Sequence, residues 1–435
     1  MTRTLIKGGR IIDPGTVDGP MDMVIENGKI TSIESRKPNG AQSTSDRDLL
    51  ADRVIDASNQ IVAPGFIDMH VHLREPGHEY KETILSGTRA AAAGGFTAVC
   101  TMPNTQPVND TRQVTEYILR KAAEADTIRV YPVAAISQGL EGEQLCEYGE
   151  LQAAGAVAVS DDGRPVMNSQ LMRRALEYAG GFDLPVISHC EDLCLLADGV
   201  MNESATSTRM GLAGIPNAVE SIMVMRDIAL CELTGSRLHI AHVSTLESVA
   251  AIREAKKRQV NVTAETAPHY FTLTEAAVEG YNTHAKMSPP LRSEADRAAI
   301  IEGLADGTID IIASDHAPHS SVEKQVEFDQ AANGIIGLET SVSLGLKLVE
   351  NGDITLAGLI EKMSTNPARL LGIDNHIKVG APADITILDP SRSDTIAPSR
   401  FHSISRNTPF EGWEVKGKAV LTMVGGRVVF EETHP

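Results

Sequence analysis

Short apolar segments alternate with amphipathic segments between about residues 64 and 370, and this alternation constrains the fold more than any other feature. The apolar segments have the length and β-branched content of buried strands, whereas the amphipathic segments repeat their apolar residues at helical spacing. The predicted strands end near Leu73, Asn104, Ile136, Asp162, Cys190, Ser244, Pro268 and Pro318. Predicted helices between them include residues 110–125, 169–179, 218–233, 246–257 and 295–304. Eight strands separated by helices predict an α/β fold with a parallel sheet, and their number favours a closed (β/α)8 barrel of the TIM type.

The two ends of the chain have a different pattern, in which apolar and polar residues alternate and turns recur. Asn27-Gly28 stands between two such segments and is a strong hairpin signal. Residues 383–389 and 424–430 show the same pattern near the other end. The sequence therefore predicts a small composite β-domain made of residues 1–63 and 371–435, beside a barrel domain of residues 64–370. Residues 44–53 are predicted to form a charged loop.

The composition disfavours several classes of function. The chain has 435 residues, 42% of them hydrophobic, which is enough for one large domain and a smaller one. Its formal net charge of −19 disfavours nucleic acid or an anionic membrane as a partner. No run of about 18 apolar residues is present to span a bilayer, and residues 1–7 lack the apolar core of a signal peptide. The scattered cysteines fit reduced thiols, so we expect a cytoplasmic protein that binds neither nucleic acid nor membranes.

Two histidines, His70 and His72, end the first predicted barrel strand in the stretch GFIDMHVHLR. With one residue between them, both imidazoles can lie on the same side of a strand and reach one metal ion. Histidines in an apolar strand are also compatible with ordinary packing, so this pair alone does not decide. Four further predicted strands end in ligand-type residues, which are Asp161 and Asp162, His189, His242, and Asp315.

In a (β/α)8 barrel these strand ends share one face, where active sites lie. Nitrogen and oxygen donors in such a cluster suit Zn²⁺, with Mn²⁺ or Co²⁺ as alternatives, and they suffice for two ions that share a carboxylate. Adjacent strand residues face opposite ways, so either Asp161 or Asp162 is that carboxylate, but not both. The sequence thus predicts a metal-dependent catalyst, and a cation at Arg74 suggests an anionic substrate.

The motifs resemble those of the long bacterial type of dihydroorotase, within the amidohydrolase superfamily. They are GFIDMHVHLREPG, TAVCTMPNT, SDDG, SHCED, HIAHVST, KMSPPLR, SDHAPH and NTPFEGW, in this order over nearly the whole chain. The resemblance implies reversible hydrolysis of dihydroorotate to N-carbamoyl-L-aspartate, a step of de novo pyrimidine (UMP) biosynthesis, by a zinc-activated hydroxide.

The resemblance also implies a role for each candidate residue. One or two Zn²⁺ ions per chain would be held by His70, His72, Asp162, His189, His242 and Asp315. Many relatives bridge the two ions with a carbamylated lysine, whereas the long bacterial type uses an aspartate, for which the register selects Asp162. Asp315 would also act as the general acid/base.

Six residues would recognise the substrate by the same resemblance: Arg74, Asn104, Ser288, His319, Asn333 and Gly334. Arg74 has the clearest chemical reason, because a guanidinium matches a carboxylate. His319 taken by itself could equally be an ordinary loop histidine. Many relatives have Asn in place of Ser288, which keeps a hydroxyl but shortens its reach.

Two other functions share these features. A related cyclic amidohydrolase, an allantoinase or hydantoinase, would use the same barrel, although those relatives usually carry the bridging lysine. A catalytically silent partner of aspartate transcarbamoylase would be expected to lose metal ligands, whereas this chain has all six. We therefore expect an enzyme with a small-molecule substrate, for which the resemblance allows association with aspartate transcarbamoylase and a homo-oligomer.

Overall fold

The computed structural model describes residues 3–35 and 51–432. Its strands are β1 (Arg3–Asp13), β2 (Val17–Glu26), β3 (Lys29–Ser35), β4 (Arg53–Asp56), β5 (Ile61–Pro64), β6 (Phe66–Val71), β7 (Phe96–Thr101), β8 (Arg129–Ala134), β9 (Ala158–Ser160), β10 (Val186–Ser188), β11 (Met201–Asn202), β12 (Gly214–Ile215), β13 (Leu238–Ile240), β14 (Val262–Thr266), β15 (Ile311–Ile312), β16 (Ile385–Thr395), β17 (Glu414–Val424) and β18 (Arg427–Glu431).

The α-helices are α1 (Ile84–Ala93), α2 (Arg112–Ala125), α3 (Tyr148–Ala154), α4 (Ser169–Gly180), α5 (Leu193–Leu196), α6 (Ala205–Met210), α7 (Ala218–Thr234), α8 (Leu246–Lys257), α9 (Pro268–Thr272), α10 (Glu294–Asp306), α11 (Ser321–Lys324), α12 (Ser341–Asn351), α13 (Leu356–Ile360) and α14 (Asn366–Leu371). A π-helical turn, Glu361–Thr365, joins the last two.

Eight parallel strands form the predicted barrel, in the order β6, β7, β8, β9, β10, β13, β14 and β15. The first and last strands approach each other just beyond their ends. There Val71 pairs with His316, and the His72 N–H donates to the His316 carbonyl over 2.9 Å. The predicted α/β barrel is confirmed, and the residues after each strand meet at one face.

The five helices whose residue ranges were predicted begin and end within two residues of those ranges. Helix α8 spans residues 246–257 as predicted and buries Val249 and Ile252 on the face that packs inward. Helix α2 begins at Arg112 instead of residue 110, and the carboxylate of Asp110 accepts a hydrogen bond from the Gly139 N–H over 2.9 Å. The helical spacing of apolar residues therefore located these helices correctly.

The two chain ends share one sheet, as the alternating pattern predicted. Its order is β18, β17, β16, β5, β1, β2 and β3, with β4 paired to β1. The ends join where β5 and β16 run antiparallel, with Ile61 opposite Leu388. Asn27 and Gly28 turn the β2–β3 hairpin with φ of 52° and 82°, the left-handed conformation that a two-residue hairpin needs.

This sheet has an apolar core of its own, which includes Ile6, Met23 and Ile385. The domain boundaries after residues 63 and 370 stay a prediction. Residues 44–50 of the predicted charged loop lie outside the described residues, and Arg53 at its end begins β4.

One segment was not predicted. Between β10 and α7 the chain forms α5, β11, α6 and β12, and the two short strands pair in parallel. Within the described part of the chain, none of the helices combines the length and apolarity needed to cross a bilayer.

Candidate active site

The first donor group lies where β6 ends. His70 and His72 both turn a ring nitrogen toward the carboxylate of Asp162, which follows β9. His70 Nε2 lies 3.2 Å from Asp162 Oδ1, and His72 Nε2 lies 3.4 Å from Asp162 Oδ2. The three side chains are buried. The one-residue spacing thus brings both imidazoles to the same carboxylate.

The second donor group shares that carboxylate. Asp162 Oδ1 lies 3.5 Å from His189 Nδ1 and 3.5 Å from His242 Nε2, and these two ring nitrogens are 2.8 Å apart. In each group the donor atoms all lie within 4.8 Å of one another. Asp162 therefore occupies the position between two sets of histidines that a bridging ligand requires.

The donor atoms fit a divalent metal ion. Buried polar groups normally have a hydrogen-bond partner, yet His70 Nε2 and Asp162 Oδ1 have none among the described residues. Imidazole nitrogens and carboxylate oxygens are ligands that zinc and its first-row neighbours accept. A metal ion bound between these two atoms would supply the partner that no hydrogen bond provides.

Asp315 completes the cluster from the end of β15. Its Oδ1 lies 3.4 Å from His72 Nε2 and 3.7 Å from His70 Nε2. Burial raises the pKa of Asp315 and the positive field of His70 lowers it, with a net shift downward. The carboxylate is therefore ionised near neutral pH and able to accept a proton.

Three site residues hold left-handed backbone conformations. Arg74, His242 and Asp315 have φ of 61°, 35° and 46°. A non-glycine residue in this region costs on the order of 1–3 kcal/mol, and such residues cluster at functional sites. Each one follows a barrel strand, so the unusual turn redirects a side chain at the catalytic face.

Asp161, the alternative ligand, lies in a separate environment. Its Oδ1 accepts hydrogen bonds from the N–H groups of Ile136 and Ser137 over 2.8 and 2.9 Å, and its Oδ2 accepts from the Ser137 hydroxyl. Burial raises the pKa of Asp161 to about 6. Its side chain anchors the loop after β8, which leaves the shared position to Asp162.

Two glutamates lie beside the histidines, and neither was predicted. Glu265 on β14 places Oε1 2.6 Å from His70 Nδ1 and Oε2 3.2 Å from His239 Nε2. Glu191 places Oε2 3.6 Å from His189 Nε2. A carboxylate on the second ring nitrogen fixes the tautomer of a ligating histidine and raises its basicity. In the sequence, Glu265 stands out only as an ionisable residue within the strand Val262–Thr266. The sequence pattern does not indicate that this residue lies beside His70.

Loss of Glu265 is expected to weaken the metal site. Glu265→Gln removes the charge that faces His70, so we expect metal affinity or turnover to fall by roughly 10- to 100-fold, as for other residues behind metal ligands. Competition with a chelator and initial-rate kinetics measure the two quantities. A Glu265→Gln protein with the chelator resistance and turnover of the wild type would contradict this role.

A cavity of about 470 Å³ opens beside the cluster, and five of the six predicted substrate residues line it: Arg74, Asn104, Ser288, His319 and Asn333. Gly334 lies directly behind that wall, where an added Cβ would come within 2.5 Å of the Ala317 carbonyl oxygen. The unpredicted segment after β10 contributes Leu196, Val200 and Ile215 as an apolar side. The volume suits a small ring compound.

Arg74 is buried beside the donor cluster. Its Nε donates to the Pro318 carbonyl over 3.1 Å, and its Nη2 lies 3.3 Å from His319 Nε2. Burial lowers the pKa of Arg74 to about 10, while Asp315 and Asp162 act in the opposite direction, so the group is a cation at neutral pH.

The remaining predicted residues also contact the site. Asn104 Oδ1 lies 2.9 Å from His72 Nδ1, so Asn104 orients His72 as well as lining the cavity. The Ser288 hydroxyl donates to Glu191 Oε1 over 2.9 Å, and the other oxygen of Glu191 lies 3.6 Å from His189 Nε2.

Known proteins resemble this chain over its full length. A family model described as dihydro-orotase-like matches residues 59–248, and one described as amidohydrolase family matches residues 231–430. A protein named dihydroorotase from Desulforapulum autotrophicum is 60% identical over 98% of this chain and 98% of its own length. Another of that name, from Syntrophus aciditrophicus, is 55% identical over 99% of this chain and 100% of its own length.

The solved structure of an L-hydantoinase (dihydropyrimidinase) from Arthrobacter aurescens has a TM-score of 0.87 and 26% identity, covering 100% of this chain and 97% of that one. With identity of this order over the full length, the chain belongs to the dihydroorotase family of amidohydrolases.

Proposed function

We propose that this chain is a dihydroorotase, which reversibly hydrolyses dihydroorotate to N-carbamoyl-L-aspartate in pyrimidine biosynthesis. One observation carries the proposal: the buried cation Arg74 lines the same cavity as the histidine and aspartate cluster. Dihydroorotate has both features that such a cavity would select, since it carries a carboxylate and a cyclic amide. The dihydroorotases to which the chain is 55–60% identical support the same reaction.

The chain's own residues have distinct roles in this proposal. Arg74 would bind the substrate carboxylate, with His319 beside it, and so orient the ring above the cluster. Asp315 would take a proton from the attacking water and return it to the ring nitrogen as the C–N bond breaks. In the closing direction the same carboxylate would remove a proton from the carbamoyl nitrogen. Burial of the cluster keeps these groups fixed before the substrate binds.

We propose Zn²⁺, one or two ions per chain, as the metal, held by His70, His72, Asp162, His189, His242 and Asp315. A divalent ion at these donors would lower the pKa of water to near neutrality and polarise the carbonyl under attack. Mn²⁺ and Co²⁺ accept the same donors.

The decisive test is an assay of purified protein with dihydroorotate, together with metal analysis of the same sample. We expect ring opening, followed as loss of absorbance of the cyclic amide, and a bound divalent metal. Protein that retains metal but leaves dihydroorotate unchanged would refute this function. That outcome would favour the silent partner of aspartate transcarbamoylase, if no other cyclic amide is hydrolysed either.

The two adjacent aspartates should differ sharply when each is replaced. Asp162→Ala removes the carboxylate shared by both donor groups, so we expect loss of metal and of turnover. Asp161→Ala removes the acceptor of three hydrogen bonds and should lower stability by about 1–3 kcal/mol, with turnover per folded molecule largely kept. Rates, metal content and thermal unfolding measure the difference. Because no carbamylated lysine is required, added bicarbonate should not raise the wild-type rate, and the reverse ordering of the two variants would assign the ligand to Asp161.

Three further assignments stay predictions from the sequence. They are the cytoplasmic location, the formation of a homo-oligomer and association with aspartate transcarbamoylase. Sedimentation of the purified protein, alone and with that enzyme, tests the last two.

A further inference from the structure

The substrate side of the cavity is built from three separate chain segments, all of them outside the barrel strands. They are residues 286–288, 317–319 and 331–334, which contain Ser288, His319, Asn333 and Gly334. Loops of this kind have little stiffness of their own. Contacts with other parts of the chain must therefore hold the three segments in place if their polar groups are to bind one small ring.

Lys324, the last residue of α11, connects two of these segments. Its side chain is 1% exposed, and its Nζ donates to the carbonyls of Lys286, Ala332 and Gly334 over 3.3, 2.8 and 3.1 Å. Lys324 is not one of the residues that line the cavity. It lies behind the wall and ties the segment of Ser288 to the segment of Asn333.

Asn407, in the NTPFEGW motif, connects the third segment. Its Nδ2 donates to the carbonyls of Ala317 and Gly334 over 2.9 and 3.0 Å, and its Oδ1 accepts from the His319 N–H over 3.0 Å. It is also buried and also absent from the cavity lining. Asn407 comes from the C-terminal part of the chain, beyond the barrel helices.

Gly334 is the point where the two residues meet, because both donate to its carbonyl oxygen. Its own N–H donates to the Lys286 carbonyl over 2.9 Å. An added Cβ would lie 2.7 Å from Cδ2 of His319, so only glycine allows this close approach. The Asn333-Gly334 backbone and the His319 ring are thus held against each other.

We propose that Lys324 and Asn407 are positioning residues, which together hold the three loop segments in the arrangement that binds the substrate. The proposal rests on the proposed function, since it concerns recognition of dihydroorotate. Lys324 and Asn407 would not touch the substrate themselves. They would affect the reaction only by positioning the three loop segments.

The surroundings of Lys324 support a role beyond packing. Among the described residues no carboxylate forms an ion pair with it, so three carbonyl dipoles alone compensate its charge. Burial lowers the pKa of Lys324 to about 7, which reflects the cost of removing the ammonium from water. An apolar side chain at this position would leave these three carbonyls without the donor that joins them. Lys324 therefore fixes the positions of two loop segments through hydrogen bonds to their backbone.

The test compares Lys324→Met and Asn407→Ala with matched controls at the opposite end of the barrel. Lys362→Met removes another buried lysine, whose Nζ donates to the Ile309 carbonyl over 2.7 Å. Asn375→Ala removes another asparagine, whose Nδ2 donates to the Gly65 carbonyl over 2.7 Å and to the Ser364 hydroxyl oxygen over 3.0 Å. For each protein, KM and kcat with dihydroorotate, bound metal and amide hydrogen exchange are measured.

We expect KM to rise on the order of 10-fold in Lys324→Met and Asn407→Ala, because small displacements of binding groups are costly. We expect kcat to change by less than about threefold and bound metal to stay at the wild-type level, because no ligand is altered. Amides in the three segments should exchange faster than in the wild type. The controls should leave KM and the exchange of these segments unchanged.

Unchanged KM in both variants would overturn the proposal, and so would an equal rise in the controls or a fall in kcat alone. If either variant fails to fold, Lys324→Gln or Asn407→Ser replaces it, since each keeps one polar group at its position. A wild-type protein that does not act on dihydroorotate would refute the proposed function instead. In that event, faster exchange confined to the three segments would still establish that Lys324 and Asn407 hold them, and unchanged exchange would refute it.

Discussion

His70→Ala is expected to abolish both metal binding and turnover. His70 Nε2 is a buried nitrogen without a hydrogen-bond partner in the described part of the chain, and it lies 3.2 Å from the shared Asp162 carboxylate. Removal of the ring takes one donor from the cluster and leaves a cavity next to Glu265, whose carboxylate then loses its partner at 2.6 Å. Metal assistance contributes several kcal/mol to such a hydrolysis, so the rate should fall by at least about 10³-fold.

Metal analysis and initial rates test this expectation on one sample. Wild-type protein should hold roughly one to two zinc equivalents, as the two donor groups suggest. His402→Ala serves as the control, because His402 is partly exposed and pairs with Glu339 away from the cluster. Metal-free wild-type protein with full activity would remove the basis for a metal-dependent reaction, as would a His70→Ala protein that keeps both properties.

Arg74→Met is expected to reduce kcat/KM for dihydroorotate by about 10²-fold or more while the metal is retained. A bound carboxylate that loses a buried guanidinium is left without its counter-charge, a penalty of about 3–5 kcal/mol in buried pairs. Arg74 is not one of the donors of the cluster, and its guanidinium contacts Pro318 and His319. The effect should therefore appear in recognition and not in metal content.

The same arginine separates the two enzyme hypotheses. Simple hydantoins lack the carboxylate of dihydroorotate, so the wild type should turn them over far more slowly, because an unpaired buried guanidinium is costly. Arg112→Met is the matched control, since Arg112 is exposed and pairs with Glu116 on α2. Equal turnover of hydantoins, or a mild effect of Arg74→Met, would favour a hydantoinase. The solved L-hydantoinase from Arthrobacter aurescens has the same fold as this chain.

The position of the strand ends could be predicted because it depends on local properties. Apolar runs followed by glycine, proline or a polar residue specify where a buried strand stops, and eight such runs leave few topologies. His70 and His72 share one partner for the same reason, since the alternation of a strand is a property of the local backbone. The pairing of the chain ends also followed from the pattern, because both ends needed partners for half-buried strands.

Contacts between distant residues could not be predicted in this way. Glu265 meets His70 across 195 positions of sequence, and Asn407 meets Gly334 across 73. Such pairs depend on how strands and loops are placed by the whole barrel, and no local pattern marks the two partners as neighbours. The choice between Asp161 and Asp162 is a case of the same kind, because both are acidic and the loop after β8 supplies the hydrogen bonds that engage Asp161.

The sequence by itself determined the barrel, the composite sheet and the set of residues at the catalytic face, because periodicity and residue chemistry are carried by each segment alone. The tertiary structure decided which carboxylate is shared, that Glu265 orients His70 and how Lys324 and Asn407 hold the loops. These depend on distances of a few ångströms between segments far apart in the chain, and only the packed fold sets such distances.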